Sequence, residues 1–289
     1  MKRVALVGSR GYVGEEMQKL LRGHPGLTLA MSVSARDGVT PDAVADADVD
    51  AWLLALPNDA SGPYLDKIGS RGVVVDLSAD HRFDDAWTYG QPERLRERIA
   101  SARRIANPGC YATAMQLGLA PVVSLLDGAP SVFGVSGYSG AGTTPSPKND
   151  PEVLRDNLLP YALTEHVHER EVARQLGCRL FFMPHVAPFF RGITCTISVS
   201  FAEPQTHAST WERYLAAYAN EPLVVTSKGP PHVRDIAGQH HVAIGGLTLS
   251  KDGRHAVVVA TIDNLLGGAA TQALRNLNLA LGLPERTGL

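Results

Sequence analysis

Cysteine is scarce: the 289-residue chain holds three, Cys110, Cys178 and Cys195. They form no close pair and no metal-ligand spacing, which argues against a disulfide framework and a cysteine-built zinc site and suits a reducing compartment. No apolar run is long enough to span a bilayer. The start, Met1-Lys2-Arg3 running straight into Val4-Ala5-Leu6-Val7, is too short in apolar residues for a secretion signal, so the expected location is cytoplasmic. Runs of one charge are missing too. With 27 basic and 29 acidic side chains the formal net charge is −2, and no basic stripe marks a nucleic-acid or membrane surface. The expected partner is a small molecule. There is no internal repeat and no low-complexity segment. Apolar residues, at 44%, are plentiful enough over this length for two domains with their own cores.

The first third alternates strands and helices. Arg3 to Val7 reads as a buried strand, Gly8 to Gly14 as a turn, and Met17, Leu20 and Leu21 as one face of a helix. Further strands are expected at Gly26–Val33, Ala51–Leu56 (stopped by Pro57) and Gly72–Leu77. This alternation predicts a parallel, doubly wound sheet. After about residue 108 the pattern changes. Strands are expected at Val132–Ser136, Arg179–Met183, Gly192–Phe201 and His255–Ile262, with helical stretches at 152–175 and 209–219, which implies a second, α+β domain. Gly268 to Leu281 reads as an amphipathic helix through Leu274, Leu277 and Leu281. The stretch Gly140 to Pro151, rich in Gly, Pro and Thr, is expected to be an ordered functional loop.

Gly8-Ser9-Arg10-Gly11-Tyr12-Val13-Gly14 lies between strand and helix, where glycines admit a pyrophosphate and a helix N-terminus favours its charge. About 20 residues on, where an acidic side chain would bind the ribose hydroxyls of NAD, Ser34 and Arg36 come first and suit a 2′-phosphate. The expectation is NADPH over NADH, with Asp37 as the contrary sign.

Asn107-Pro108-Gly109 precede Cys110, and Tyr111 to Leu117 have helical spacing, so Cys110 is expected near a helix N-terminus. Orphan N–H groups there stabilise a thiolate. An unperturbed thiol, with pKa about 8.5, is only roughly 3% ionised at pH 7. Cys178 and Cys195 read as structural. Among ten histidines, His185, set between Pro184 and Pro188, is the candidate proton carrier, and Arg191 a candidate anion holder. Metal readings of His166 with His168, or His240 with His241, lack a third ligand at recognised spacing.

Asn107-Pro108-Gly109-Cys110-Tyr111-Ala112-Thr113 resembles the active-site signature of the N-acetyl-gamma-glutamyl-phosphate reductases of arginine biosynthesis. Further matches are Asp76 to Phe83, Tyr89-Gly90 with Pro92-Glu93, Ser136 to Gly142, Pro184-His185 with Arg191-Gly192, and Asp263-Asn264-Leu265. Gly142 to Asp150 and Val233 to Ile236 resemble the fungal reductase and a bacterial subgroup like it.

The resemblance implies an α/β chain: a Rossmann dinucleotide-binding domain from 1–109 and 265–289, and an α+β catalytic and oligomerisation domain of the glyceraldehyde-3-phosphate-dehydrogenase type from 110–264. It implies Cys110 as nucleophile and His185 as acid/base. NADP(H) contacts carry over to Gly8, Ser9, Arg10, Gly11, Tyr12, Val13, Gly14, Ser34, Arg36, Pro57 and Asn264, and substrate contacts to Asn107, Ser139, His166 and Arg191. Residues 165–171 match the family's His-x-His-x-x-Glu motif, expected at the substrate pocket. A homodimer or homotetramer is implied. The chain departs from the common bacterial form in a trimmed segment 37–50 and in Asn58, where a histidine is usual. Rival readings are a relative acting on aspartyl phosphate or carrier-bound aminoadipyl phosphate, and a non-catalytic NADP-sensing module.

Overall fold

The structure is a computed structural model describing residues 1–289 except the side chain of Arg36. The cofactor role expected of Arg36 therefore lies outside the described residues. The chain forms two compact units, Met1–Gly109 with Ala269–Leu289, and Cys110–Gly268. Among the described residues no helix is long and apolar enough to cross a membrane.

In the first unit, β1 (Lys2–Val7), α1 (Tyr12–Arg22), β2 (Leu27–Val33), β3 (Ala51–Leu54), α2 (Gly62–Ile68), β4 (Val73–Asp76), β5 (Thr88–Tyr89), α3 (Pro92–Ala100) and β6 (Arg104–Ala106) follow in order. The strands pair throughout in parallel, in the order β2-β1-β3-β4-β6-β5. Parallel strands covered on both faces need continuous apolar runs, and β3, Ala51-Trp52-Leu53-Leu54, is buried at every residue. Alternate side chains serve opposite layers. Val4, Leu6 and Leu53 pack with Met17 and Leu21 and with Ala273, Leu274 and Leu277 of the C-terminal helix Thr271–Ala280. Ala5, Val7, Trp52 and Leu54 pack with Tyr64 and Ile68 on the other side. Fully burying a leucine contributes about 1.5–3 kcal/mol, so the C-terminal helix is integral to this unit. A 3-10 turn, Ala35–Asp37, leads into the trimmed segment, which holds a second, Pro41–Val44, with Val44 fully buried against the Trp52 layer.

In the second unit, α4 (Cys110–Leu119), β7 (Ser131–Gly137), α5 (Pro151–Leu154), β8 (Leu159–Pro160), α6 (Val167–Leu176), β9 (Phe181–Ala187), β10 (Ile193–Ser200), α7 (His207–Tyr218), β11 (Val224–Ser227), α8 (Val233–Ile236), β12 (Val242–Leu249) and β13 (His255–Ile262) build a mixed sheet. Its order is β11-β12-β13-β10-β7-β9-β8. Only β11–β12 and β7–β9 pair in parallel. One face of the sheet packs on α4 through Val132, Phe182, Cys195, Ile197 and Ala260.

The helix expected over 152–175 is interrupted. Asp156, Ala162 and Glu165 adopt positive φ, and Leu159-Pro160 pair as β8 on the sheet edge, where the missing proline N–H is tolerated. β12 escaped the sequence reading because Gly245 and Gly246 break its apolar alternation. The register shifts there, and Gly246 has φ +67°. At the C-terminus a single π turn, Leu266–Ala270, precedes the last helix, which starts at Thr271 rather than Gly268. Residues 265–268, expected with the first unit, belong to the second. Gly268 N–H donates to the Asp263 carbonyl at 2.9 Å there.

Candidate active site

In the first unit the glycine turn sits outside the carboxyl ends of β1 and β3, where the strand order reverses. That is the crevice in which open α/β sheets hold ligands. Gly8 has φ +89°, and a Cβ there would stand 2.1 Å from the Ala55 carbonyl oxygen. A Cβ at Gly14 would lie 2.3 Å from the Gly8 oxygen. Both positions are closed to any side chain. Gly11, by contrast, is the N-cap of α1 without a side-chain cap, and its missing Cβ would meet only the Gly8 oxygen, at 3.6 Å. The first turn of α1 thus presents backbone N–H groups over a cradle of bare backbone, which fits a dinucleotide pyrophosphate. Tyr12 and Val13 are the first residues of that helix.

Ser9 and Ser34 are both buried at this end of the unit. Arg10 forms an ion pair with Asp37, so the acidic side chain that argued for an unphosphorylated ribose already has a cationic partner. Pro57 is exposed just after β3. Asn58, the departure from histidine, accepts a hydrogen bond from Ala79 N–H at 3.0 Å and holds the Asp76–Asp80 turn.

That turn has a structural use. Asp76 is fully buried, burial raises its pKa, and Ser78 donates to it from both N–H (3.0 Å) and Oγ (2.8 Å). Arg82 donates through Nε to the Asn107 carbonyl at 2.9 Å. Asn107, expected at the substrate, is 1% exposed and accepts from Asn276 Nδ2 at 3.0 Å. Its place is that of an anchor three residues ahead of Cys110.

In the second unit Cys110 opens α4 and is partly buried, while Tyr111 to Leu119 are all buried. Gly268 allows the π turn to close on it, since a Cβ there would meet Cys110 Cβ at 2.6 Å. Burial pushes the Cys195 thiol far up and that of Cys178 up, as suits cysteines that only pack. Tyr111 Oη donates to the His185 carbonyl at 3.0 Å, and its ring stands edge-on to Phe182 at 4.8 Å.

The sheet's pleat decides where the His185 ring lies. A Cβ at Gly134 would touch Tyr111 (2.6 Å) and Phe182 (2.7 Å), so Gly134 and Phe182 face α4. Phe133 and His185 have the opposite parity on β7 and β9, and their rings meet at 4.5 Å on the far face. His185 Nδ1 lies 3.1 Å from the Met183 carbonyl, which only accepts, so that nitrogen carries a proton. The side chain is thus turned away from the face on which Cys110 begins its helix. On the α4 side, His185 contributes its backbone carbonyl, which holds Tyr111 Oη.

The α4 face carries two other imidazoles. His166 is the N-cap of α6, and its Nδ1 accepts from His168 N–H at 3.1 Å. Burial, with a smaller contribution from the Lys148 charge, lowers its pKa to about 4. The His166 ring packs on Phe182 (5.3 Å), His168 (4.9 Å) and Tyr161 (5.6 Å), and His168 lies 6.0 Å from Tyr111. Burial pushes the Tyr161 hydroxyl well up, and a nearby Cys110 charge adds to the shift. Cys110, Tyr111, Tyr161, His166 and His168 therefore form one cluster. The His-x-His spacing pointed to two of these five residues. Tyr161, in a segment read as helix, carried no signal.

Arg191 also differs from expectation. Its Nε and Nη2 donate to the two carboxylate oxygens of fully buried Asp263, at 2.6 and 2.9 Å. Asp263 further accepts from Gly238, Leu265 and Leu266 N–H. Next to it Asn264 accepts from Gly192 N–H at 2.7 Å and donates to Ser139 Oγ at 2.9 Å. Arg191, Ser139 and Asn264 are thus joined, but as a network fixing the β13 terminus, with the guanidinium fork already on a carboxylate. Among the described residues no group of three or more His, Cys, Asp or Glu is placed to hold a metal ion.

Comparison with known proteins gives consistent matches. A family model described as semialdehyde dehydrogenase, dimerisation domain, matches residues 110–264, and one described as semialdehyde dehydrogenase, NAD binding domain, matches 32–102. The N-acetyl-gamma-glutamyl-phosphate reductase of Xanthomonas axonopodis pv. citri is 51% identical over 307 residues, covering 98% of this chain and 97% of that protein. The Neurospora crassa protein named arg-6, mitochondrial, is 48% identical over 99% of this chain, which corresponds to 36% of its own length. Aspartate semialdehyde dehydrogenase II from Vibrio cholerae, complexed with ASA, superposes with TM-score 0.78 at 18% identity and 98% coverage of both chains. The Candida albicans aspartate semialdehyde dehydrogenase with NADP gives 0.74 at 16% identity, with both chains wholly covered. At such identities the structures share the fold.

Proposed function

The chain belongs to the semialdehyde dehydrogenase family and shares half its residues with N-acetyl-gamma-glutamyl-phosphate reductases, and from that premise we propose that it reduces N-acetyl-gamma-glutamyl phosphate to N-acetylglutamate semialdehyde and phosphate. The observation that carries the reading is the cluster at the start of α4, where a cysteine at a helix N-terminus shares a face with a partly buried pair of imidazoles. Cys110, as thiolate, attacks the acyl carbon, the carbon–oxygen bond to phosphate breaks, and a thioester forms on sulfur. The Gly8–Gly14 cradle would hold NADPH, which would supply the hydride for reduction of this thioester. The N–H groups of the first α4 turn stabilise the negative oxygen. The carbon–sulfur bond then breaks as the carbonyl re-forms, and Cys110 regains its thiolate.

His168 is the proton carrier of this scheme. His166, with a pKa near 4 and its Nδ1 already accepting from His168 N–H, is neutral at physiological pH and has no proton to give as an acid there. Its role is to cap α6 and set the direction of His168. A positioned acid/base contributes typically about 10²- to 10⁴-fold.

NADPH is preferred over NADH because Asp37 is paired with Arg10, while Ser34, whose carbonyl accepts from Asp37 N–H at 2.9 Å, offers a hydroxyl three residues earlier. Ser139, proposed to meet the substrate, and Asn264, proposed to meet the nicotinamide, are joined by a hydrogen bond. Phe133 and Phe181, 40% and 48% exposed on the sheet face away from α4, support assembly as a homodimer or homotetramer through that face. The expected compartment is the cytoplasm. The deciding experiment is phosphate-dependent reduction of NADP+ by N-acetylglutamate semialdehyde, run beside aspartate semialdehyde and beside NAD+. Turnover confined to aspartate semialdehyde refutes the substrate, and equal rates with NAD+ refute the cofactor preference.

A further inference from the structure

The loop between Gly140 and Pro151 has no part in the scheme above, although it is tightly built. Pro147–Asn149 form a 3-10 turn closed by a reciprocal cap between Ser146 and Asn149. Asn149 Nδ2 donates to the carbonyls of Gly142 (2.9 Å) and Thr144 (2.8 Å). Asp150 then caps α5 by accepting from Glu152 N–H, and Leu154 of that helix is buried. A turn held from both sides fixes whatever side chain stands at its centre. That residue is Lys148.

Resting on the reading of Cys110 as the nucleophile, we propose that Lys148 is the anion-binding residue of this site and holds the phosphate group attached to the reacting carbonyl. Its Nζ lies 5.0 Å from the centroid of the Tyr161 ring. Tyr161 in turn packs on His166, and His166 on His168. The ammonium therefore stands on the aromatic wall that contains the proton carrier and faces Cys110. Tyr161 is held there by its own N–H, which donates to the Pro184 carbonyl at 3.2 Å. No carboxylate pairs with Lys148 among the described residues, in contrast to Arg191, whose fork is bound to Asp263. The Lys148 charge is also felt at His166, where it lowers the pKa.

Phosphate is the anion chosen, rather than the substrate's carboxylate, for a geometric reason. The phosphate oxygen is bonded to the very carbon that sulfur attacks, so it must lie beside Cys110 and the imidazoles. The carboxylate sits at the other end of the substrate's carbon chain. A lysine ammonium, as a point charge with three rotatable donors, suits a group that arrives and leaves in each turnover.

The test uses the phosphate-dependent oxidation of N-acetylglutamate semialdehyde by the full-length enzyme and its Lys148→Met and Lys148→Arg variants. In Lys148→Met the KM for inorganic phosphate is expected to rise about 10- to 100-fold, the range of a lost hydrogen bond to a charged group. The KM for the semialdehyde should stay within about twofold, and Lys148→Arg should recover most of the loss. A rise confined to the semialdehyde KM would assign the carboxylate to Lys148 and overturn the proposal. So would unchanged constants, which would leave the residue as packing on Tyr161. A second arm needs no turnover: inorganic phosphate should slow alkylation of Cys110 by iodoacetamide in the wild type but not in Lys148→Met. If the wild type does not act on N-acetylglutamate semialdehyde at all, the substrate assignment falls, and this protection assay still decides on Lys148. Absence of protection in the wild type refutes it.

Discussion

The two units solve their chemical problems with different materials. The first builds its ligand cradle from backbone: glycines whose missing side chains leave N–H groups bare, set against strands buried on both faces. The second gathers side chains from the start of α4, from Tyr161 just after β8, and from the N-cap and first turn of α6, some fifty residues apart along the chain. A backbone site fails when anything is added to it. A side-chain site fails when one group is taken away.

The largest effect should follow removal of the nucleophile. Cys110→Ser is expected to lower aldehyde formation by about 10³-fold or more, as losses of catalytic nucleophiles do, while NADPH binding, measured by fluorescence, is kept. Ready turnover in that variant would end the thioester scheme. Next comes the contrast between two histidines. His168→Asn should lower kcat by about 10²- to 10⁴-fold, and His185→Asn should stay within a few-fold of wild type. The reverse ranking, read from steady-state kinetics, would restore His185 as proton carrier.

In the backbone site, Gly8→Ala must place a Cβ against the Ala55 carbonyl at a positive φ. The strain alone is of order 1–3 kcal/mol, and both a lower Tm and lost NADPH binding are expected. Unaltered binding would show that the cradle is not the pyrophosphate site. His166 provides a pH test of the side-chain site. Its folded pKa of about 4 lies below the ordinary 6.5, so the unfolded chain takes up the proton first. The associated stability is complete above pH 6.5 and is lost as pH falls from there towards 4, by up to about 3 kcal/mol. His166→Gln should flatten that part of the stability curve. An unchanged slope in urea titrations would show that the ring is not buried as described. Smallest is Tyr111→Phe, which removes the bond to the His185 carbonyl and should cost about 1 kcal/mol.

The contrast also explains what was legible beforehand. β1, β3 and β4 announce themselves as short apolar runs, and the glycine turn between β1 and α1 is local, so the first unit reads directly from the chain. Cys110 at a helix start was legible for the same reason: Pro108-Gly109 ahead of an apolar helix is a local pattern. The face on which the His185 ring lies was not legible, because its neighbours in sequence, Pro184 and Arg191, look functional, whereas the parity of β9 relative to Gly134 decides it.

The amino-acid order by itself determined where the glycine turn lies and that Cys110 opens a helix, since each depends on backbone conformation within about ten residues. Only the tertiary structure decided which imidazoles share the cysteine's face, that Arg191 is bound to Asp263, and that Lys148 stands over Tyr161. The physical reason is the pleat. In a strand successive side chains point to opposite faces, so the side of the sheet on which a residue acts depends on register with strands far away in sequence.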